Sequence, residues 1–166
     1  MGLITELWLA GEVPARDGLY RADGSAFGVD LDGPRLSAFR VGDPVDLAAL
    51  LAGDPGLVTA ADPHPYGTAE LPDGTGYVCC GDGSREAEGF FARLDSDGNL
   101  IWVVALGRSR PFVRAEAGTG NGTANGTGNG TVDGTGNAAG GPYATFTNDL
   151  GHALTVDLAA PPFAPR

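Results

Sequence analysis

The chain contains no lysine; all ten of its basic residues are arginine. A phosphate-cradling loop that ends in Gly-Lys is therefore excluded, and so is Schiff-base chemistry on a lysine amine. Cysteine is almost as scarce. The two present, Cys79 and Cys80, are adjacent, which is no framework for a disulfide-stapled secreted domain. With His64 and His152 they could supply four zinc ligands in number, but the spacing matches no zinc pattern, so no metal is expected. No cofactor is implied either. No apolar run approaches the ~20 residues a membrane-spanning helix needs. The first residues, MGLITELWLAGEVPARDG, have no basic stretch, and Glu6 interrupts the apolar one. They do not read as a secretion signal, and Glu6 stands where a myristoylation pattern wants Ser or Thr. A cytoplasmic location is the resulting expectation. Positive charge is short as well: the net charge is −11 and the isoelectric point is about 4.3. Scattered, outnumbered arginines offer no basic stripe for phosphates, so neither nucleic acid nor an anionic membrane is an expected partner. An acidic surface serves solubility first, and a basic protein partner second.

What the chain has in quantity is glycine, 28 residues, together with 42% apolar residues over a one-domain length of 166. Its organising stretch is Gly89 to Leu106, GFFARLDSDGNLIWVVAL. Asp97-Gly98 is a hairpin turn signal, and Leu100 to Leu106 is apolar at every position, as a strand buried on both faces in mid-sheet would be. Two registers are open. A two-residue loop places Arg93 opposite Trp102, where the guanidinium could lie over the indole. A three-residue loop with Gly98 left-handed places Ala92 there and gathers Phe90, Ala92, Leu94, Leu100, Trp102 and Val104 on one apolar face. The second face is cleaner and is the expected one.

Elsewhere, residues 3–9 read as a short strand or a single helical turn, and 18–31 as a hairpin turning at Asp23-Gly24. After a turn at 32–34, residues 35–41 read as a third strand. Residues 43–53 carry a helix signal, with Asp43 as cap, Pro44 at the first position and Leu47, Leu50 and Leu51 on one face. Asp54-Pro55 offers a second short helical turn up to about residue 61. DPHPYG (62–67) reads as a rigid loop, 68–80 as a hairpin turning at Asp73-Gly74, and 81–88 as a polar loop. A strand over 111–117 leads to a Gly/Thr/Asn tract, 118–141, too polar to order itself and read as a flexible insertion. Residues 142–158 form a last hairpin across Asn148-Asp149, and 159–166 are a proline-rich tail. The sum is one mainly β domain, a β-rich α+β fold. Antiparallel hairpins build a twisted sheet or sandwich, with one or two short helices on one face.

Several motif matches lack the structural context they need. Gly134 to Ala139 fits a dinucleotide-binding pattern, but no strand precedes it and no helix follows. Asp95 to Gly98 resembles the start of a calcium loop, yet Leu106 stands where the closing Glu belongs. Ser84 has no glycine two residues on, so it forms no nucleophile elbow. Two constellations remain. Cys80, His64 and Asp82 could act as thiol nucleophile, base and orienting group, although packed thiols are the commoner use of such cysteines. Asp82, Glu86 and Glu88, with Phe90, Phe91 or Tyr77 as an apolar anchor, could form an acidic contact surface, although a solvated loop explains the same charges. Residues 76–112 and 144–158 resemble small uncharacterised actinobacterial proteins, a likeness that implies no activity. The expected function is a non-enzymatic protein-binding module, of which an immunity or inhibitor protein is one concrete form. The alternatives are a small thiol-dependent or hydrolytic enzyme using Cys80 and His64, and a structural or scaffold protein.

Overall fold

The computed structural model describes residues 2–120, 140–159 and 163. Twelve strands lie within them. A seven-stranded antiparallel sheet runs β4 (Ser37–Pro44), β3 (Ala26–Asp32), β2 (Gly18–Arg21), β9 (Leu100–Leu106), β8 (Gly89–Asp95), β7 (Gly76–Asp82), β6 (Asp62–Glu70). A second sheet holds β10 (Phe112–Gly120), β11 (Gly140–Asn148) and β12 (Ala153–Asp157). A small ribbon pairs β1 (Glu12–Pro14) with β5 (Val58–Ala60). The protein is thus mainly β with two short helices, as its hairpin-rich sequence predicts.

The apolar run 100–106 occupies the middle position of the large sheet, and both sheet faces are covered. One face carries Leu19, Phe91, Trp102, Val104 and Leu106, packed against Phe112, Ala144, Phe146, Leu154 and Val156 of the three-stranded sheet. The opposite face carries Tyr20, Phe90, Ala92, Val103 and Ala105. It packs against Val13, Ile4 and Trp8 of α1 (Leu3–Leu9), and Leu47 and Leu51 of α2 (Leu47–Gly53). Phe91 ties the first layer together: its ring stacks on Phe146 at 4.4 Å and meets Trp102 and Phe112 edge-on.

The central hairpin combines both expected registers. At the turn, Asp95 pairs with Asn99 through backbone and side-chain bonds, and Gly98 at φ 87° supplies the left-handed residue of a three-residue loop. Leu94 therefore faces Leu100. A bulge at Ile101 then shifts the ladder, so that Arg93 faces Trp102 and Ala92 faces Val103. The expected face is accordingly wrong for Trp102 and Val104, which point to the layer opposite Phe90, Ala92, Leu94 and Leu100.

Of the two readings of residues 3–9 the helical one holds, because Ile4, Leu7 and Trp8 share a helical face that the large sheet buries. Four other local expectations need correction. The helix signal at 43–53 is displaced: Asp43 and Pro44 end edge strand β4, where proline's missing N–H is harmless. Asp46 caps α2, accepting from the Ala49 N–H at 3.1 Å. Residues 58–60 form strand β5, not a helical turn, because ribbon pairing with β1 outweighs the weak helical cue. DPHPYG is not a loop. It opens edge strand β6, whose ladder to β7 holds at Asp62 and Pro63, lapses, and resumes at Thr68. The ends of the glycine-rich tract, 118–120 and 140–141, lie in strands β10 and β11, which pair antiparallel. Residues 121–139, and the tail apart from Ala159 and Phe163, lie outside the described residues. Phe163 is buried against Trp102, whose indole N–H donates to its carbonyl at 3.1 Å.

Candidate functional site

Both sequence-derived constellations fall on β6, β7 and the 83–88 loop. Cys80 and Cys79 are buried on opposite faces of β7. Burial pushes both thiols up to about 12, and only the Arg114 backbone N–H opposes this at Cys80. A thiol so placed is protonated at neutral pH and is a poor nucleophile. His64 is half-buried on β6 and turned to its own strand: its Nδ1 accepts from the Tyr66 N–H at 3.1 Å, and its ring tilts against the Tyr66 ring. Asp82 shares the Cys80 face two residues on, but nothing links Cys80, His64 and Asp82 by hydrogen bond among the described residues. The three are neighbours in the sheet without forming a nucleophile–base–orienter chain.

The acidic constellation also changes. Glu88 does not belong to a surface. It is buried, and its Oε1 accepts from Thr59 Oγ1 at 2.6 Å and from the Arg85 N–H at 3.0 Å. Thr59 Oγ1 in turn accepts from the Ser84 N–H, so the carboxylate fastens the 83–88 loop to β5. A side chain at Gly83 would collide with Glu88 and Thr59, so only glycine leaves room for this tuck. Phe91 is no surface anchor either, being fully buried at the centre of the core. Glu86 remains exposed, 3.8 Å from Arg110. Arg110 clasps Asp149 through Nε and Nη2, at 3.2 and 2.7 Å, and that clasp raises its pKa further.

What lies on the surface nearby is a group of which the sequence singled out only Asp82. Asp62 and Asp82 stand directly opposite each other on β6 and β7. Neither has a hydrogen-bond or ion-pair partner among the described residues. Like charges so paired repel at a cost of a few tenths to ~1 kcal/mol. Between Asp62 and the exposed Glu70, where the ladder lapses, Tyr66 projects with 77% of its surface exposed. It is the most exposed of the large apolar side chains among the described residues. The available signal was the alternation Asp-Pro-His-Pro-Tyr, in which two prolines read as loop but also suit an edge strand.

Among the described residues no three His, Cys, Asp or Glu side chains converge as a metal site requires, and no helix is long and apolar enough to cross a membrane. No protein-family profile matches the chain, and no curated protein or solved structure is detectably similar to it.

Proposed function

We propose that the chain is a non-enzymatic, cytoplasmic protein-binding module whose acidic β6–β7 edge receives a basic partner. The observation that supports this reading is Tyr66, exposed at 77% on the interrupted strand β6, with Asp62 and Glu70 four residues to either side of it. Tyrosine supplies rigid contact area with a polar tip, the residue type that dominates interface energetics. The facing Asp62 and Asp82 hold a repulsion that an incoming guanidinium or ammonium relieves, which adds to the attraction. Net charge of −11 steers such a partner from a distance. An inhibitor or immunity protein that occupies a basic cleft is one form of this activity. The thiol-enzyme alternative draws no support from two buried cysteines whose pKa values are pushed up.

The test is capture of partners from native lysate at low and raised salt by the wild type, by Tyr66→Ala and by Asp62→Asn/Asp82→Asn. A single stoichiometric basic protein, released by salt and lost in both variants, supports the reading. Equal capture by the wild type and both variants removes this edge as the binding surface, and capture of nothing removes the module itself.

A further inference from the structure

Arg93 carries its charge inside the sandwich. It is 2% exposed, on the β8 face that looks toward the three-stranded sheet. Residues paired directly across a sheet share a face, so Arg93, Trp102 and Arg21 form one cross-strand row over β8, β9 and β2. Arg21 is also buried. The Arg93 guanidinium makes one hydrogen bond, from Nη2 to Thr75 Oγ1 at 3.1 Å. Thr75 Oγ1 in turn donates to Asp73 Oδ1 at 2.7 Å, so this carboxylate is reached only through a neutral hydroxyl. Nε and Nη1 have no hydrogen-bond partner among the described residues. A buried guanidinium with donors unmade bears most of its desolvation penalty uncompensated. Native proteins keep very few such groups, and a bound ion is one of the reasons they keep them.

We propose that Arg93 is the receiving group of a buried anion site that takes a small free carboxylate of about the size of acetate. The unmet need is hydrogen-bond acceptors beside a single, partly compensated positive charge, which a planar monoanion supplies. A phosphate dianion would bring a second charge between Val78 and Trp102, the apolar neighbours of Arg93 across the sheet. Entry is short, because Thr75, the residue that Arg93 touches, sits exposed on the β6–β7 turn. The direction of the Arg93 pKa agrees: burial lowers it, and Asp73 only partly opposes this. This site uses neither Tyr66 nor Asp62 and Asp82, and neither reading depends on the other.

The experiment uses the full chain with Trp8→Phe, which leaves Trp102 as the only indole. Sodium acetate replaces sodium chloride at constant ionic strength while Trp102 emission and the melting temperature are followed. A saturable one-site change in emission, with a melting temperature that rises as acetate increases, supports the site. In Arg93→Met the saturable change disappears. If that variant does not fold, Arg93→Lys keeps the charge but lacks the planar donors, and acetate binds it about tenfold more weakly. No saturable response in the parent, an equal response to chloride titrated against fluoride, or an unchanged affinity in Arg93→Lys each overturns the proposal.

Discussion

Asn148 concentrates more hydrogen bonds than its position beside a surface turn suggests. It is 1% exposed. Its Nδ2 donates to the carbonyls of Pro34 and Ser109 at 2.8 and 2.9 Å. Its Oδ1 accepts from the N–H groups of Leu150 and His152 at 3.0 and 2.9 Å. One side chain therefore joins the β3–β4 connection, the β9–β10 corner and the β11–β12 turn. Replacing Asn148 with Ala removes all four bonds. At about 1 kcal/mol net for each, the loss is about 4 kcal/mol, and water regained by the exposed turn lowers it to about 3. That is a large share of a typical total stability of about 5–15 kcal/mol. Urea unfolding followed by tryptophan fluorescence measures it: the midpoint falls and the slope stays constant. Asn148→Asp adds a signed test. The acceptor is kept, but the new oxygen faces two carbonyls, so ionisation is disfavoured and the folded-state pKa rises above the unfolded value of ~3.9. A raised carboxyl pKa contributes stability that is fully present below the unfolded pKa and lost as pH rises through the folded one. Asn148→Asp is therefore closest to the wild type near pH 3 and furthest behind it at pH 7. A loss under about 1 kcal/mol for Asn148→Ala, or a gap for Asn148→Asp that narrows toward neutral pH, refutes the reasoning.

Other consequences are simpler to test. With both thiols buried and pushed up to about 12, neither cysteine is alkylated quickly by iodoacetamide in native protein at pH 8, and both react at once in urea; fast native labelling would contradict the packing. Glu88→Ala frees Thr59 Oγ1 and the Arg85 N–H and destabilises by about 2–3 kcal/mol, while Glu86→Ala, at an exposed side chain, changes stability by less than about 0.5; equal effects would mean that Glu88 is not tucked in. The Asp95 carboxyl is held below its usual pKa, chiefly by the Asn99 backbone N–H, and Asp73 likewise, chiefly by the Thr75 hydroxyl. Both contribute stability present above about pH 4 and lost as pH falls through their depressed values, so the urea midpoint of Asp73→Asn/Asp95→Asn falls less than that of the wild type between pH 5 and pH 2.

Much of the fold was legible because its signals are local. Three Asp-Gly turns and an unbroken apolar run give the hairpins and the central strand, and each needs only adjacent residues to be read. What failed was decided at a distance. The bulge at Ile101 reconciles a three-residue turn with a face that must present Trp102 to the three-stranded sheet, and no pattern within the hairpin reveals that demand. Residues 58–60 become a strand only because β1 offers a partner. The site was less legible still. Glu86 and Glu88 look alike in a polar loop, and only Thr59, some thirty positions earlier, separates an exposed carboxylate from a buried one. Phe90 and Phe91 both look available as anchors until two layers cover the sheet from either side.

That contrast changes what the chain's negative charge means. Many of its carboxylates are committed within the fold. Asp23, Asp73 and Asp95 each accept from their own hairpin turn. Asp46 caps α2, and Asp17 holds the Gly107 N–H at 2.7 Å. Glu88 fastens a loop, and Asp149 is clasped by Arg110. A carboxylate already accepting backbone N–H groups has less to gain from a cation than one whose oxygens face only water. Overall acidity therefore says little about where a basic partner docks, and the number of uncommitted carboxylates around an exposed anchor says more. On that measure β6 and β7, with Asp62, Glu70 and Asp82 on the strands that carry Tyr66 and its neighbour, outrank the 83–88 loop, whose Glu88 is buried. The prolines that disguise 62–67 as a loop also remove backbone donors from a strand that β10 flanks. What this part of the sheet offers a partner is therefore a side chain, Tyr66, rather than a free backbone ladder.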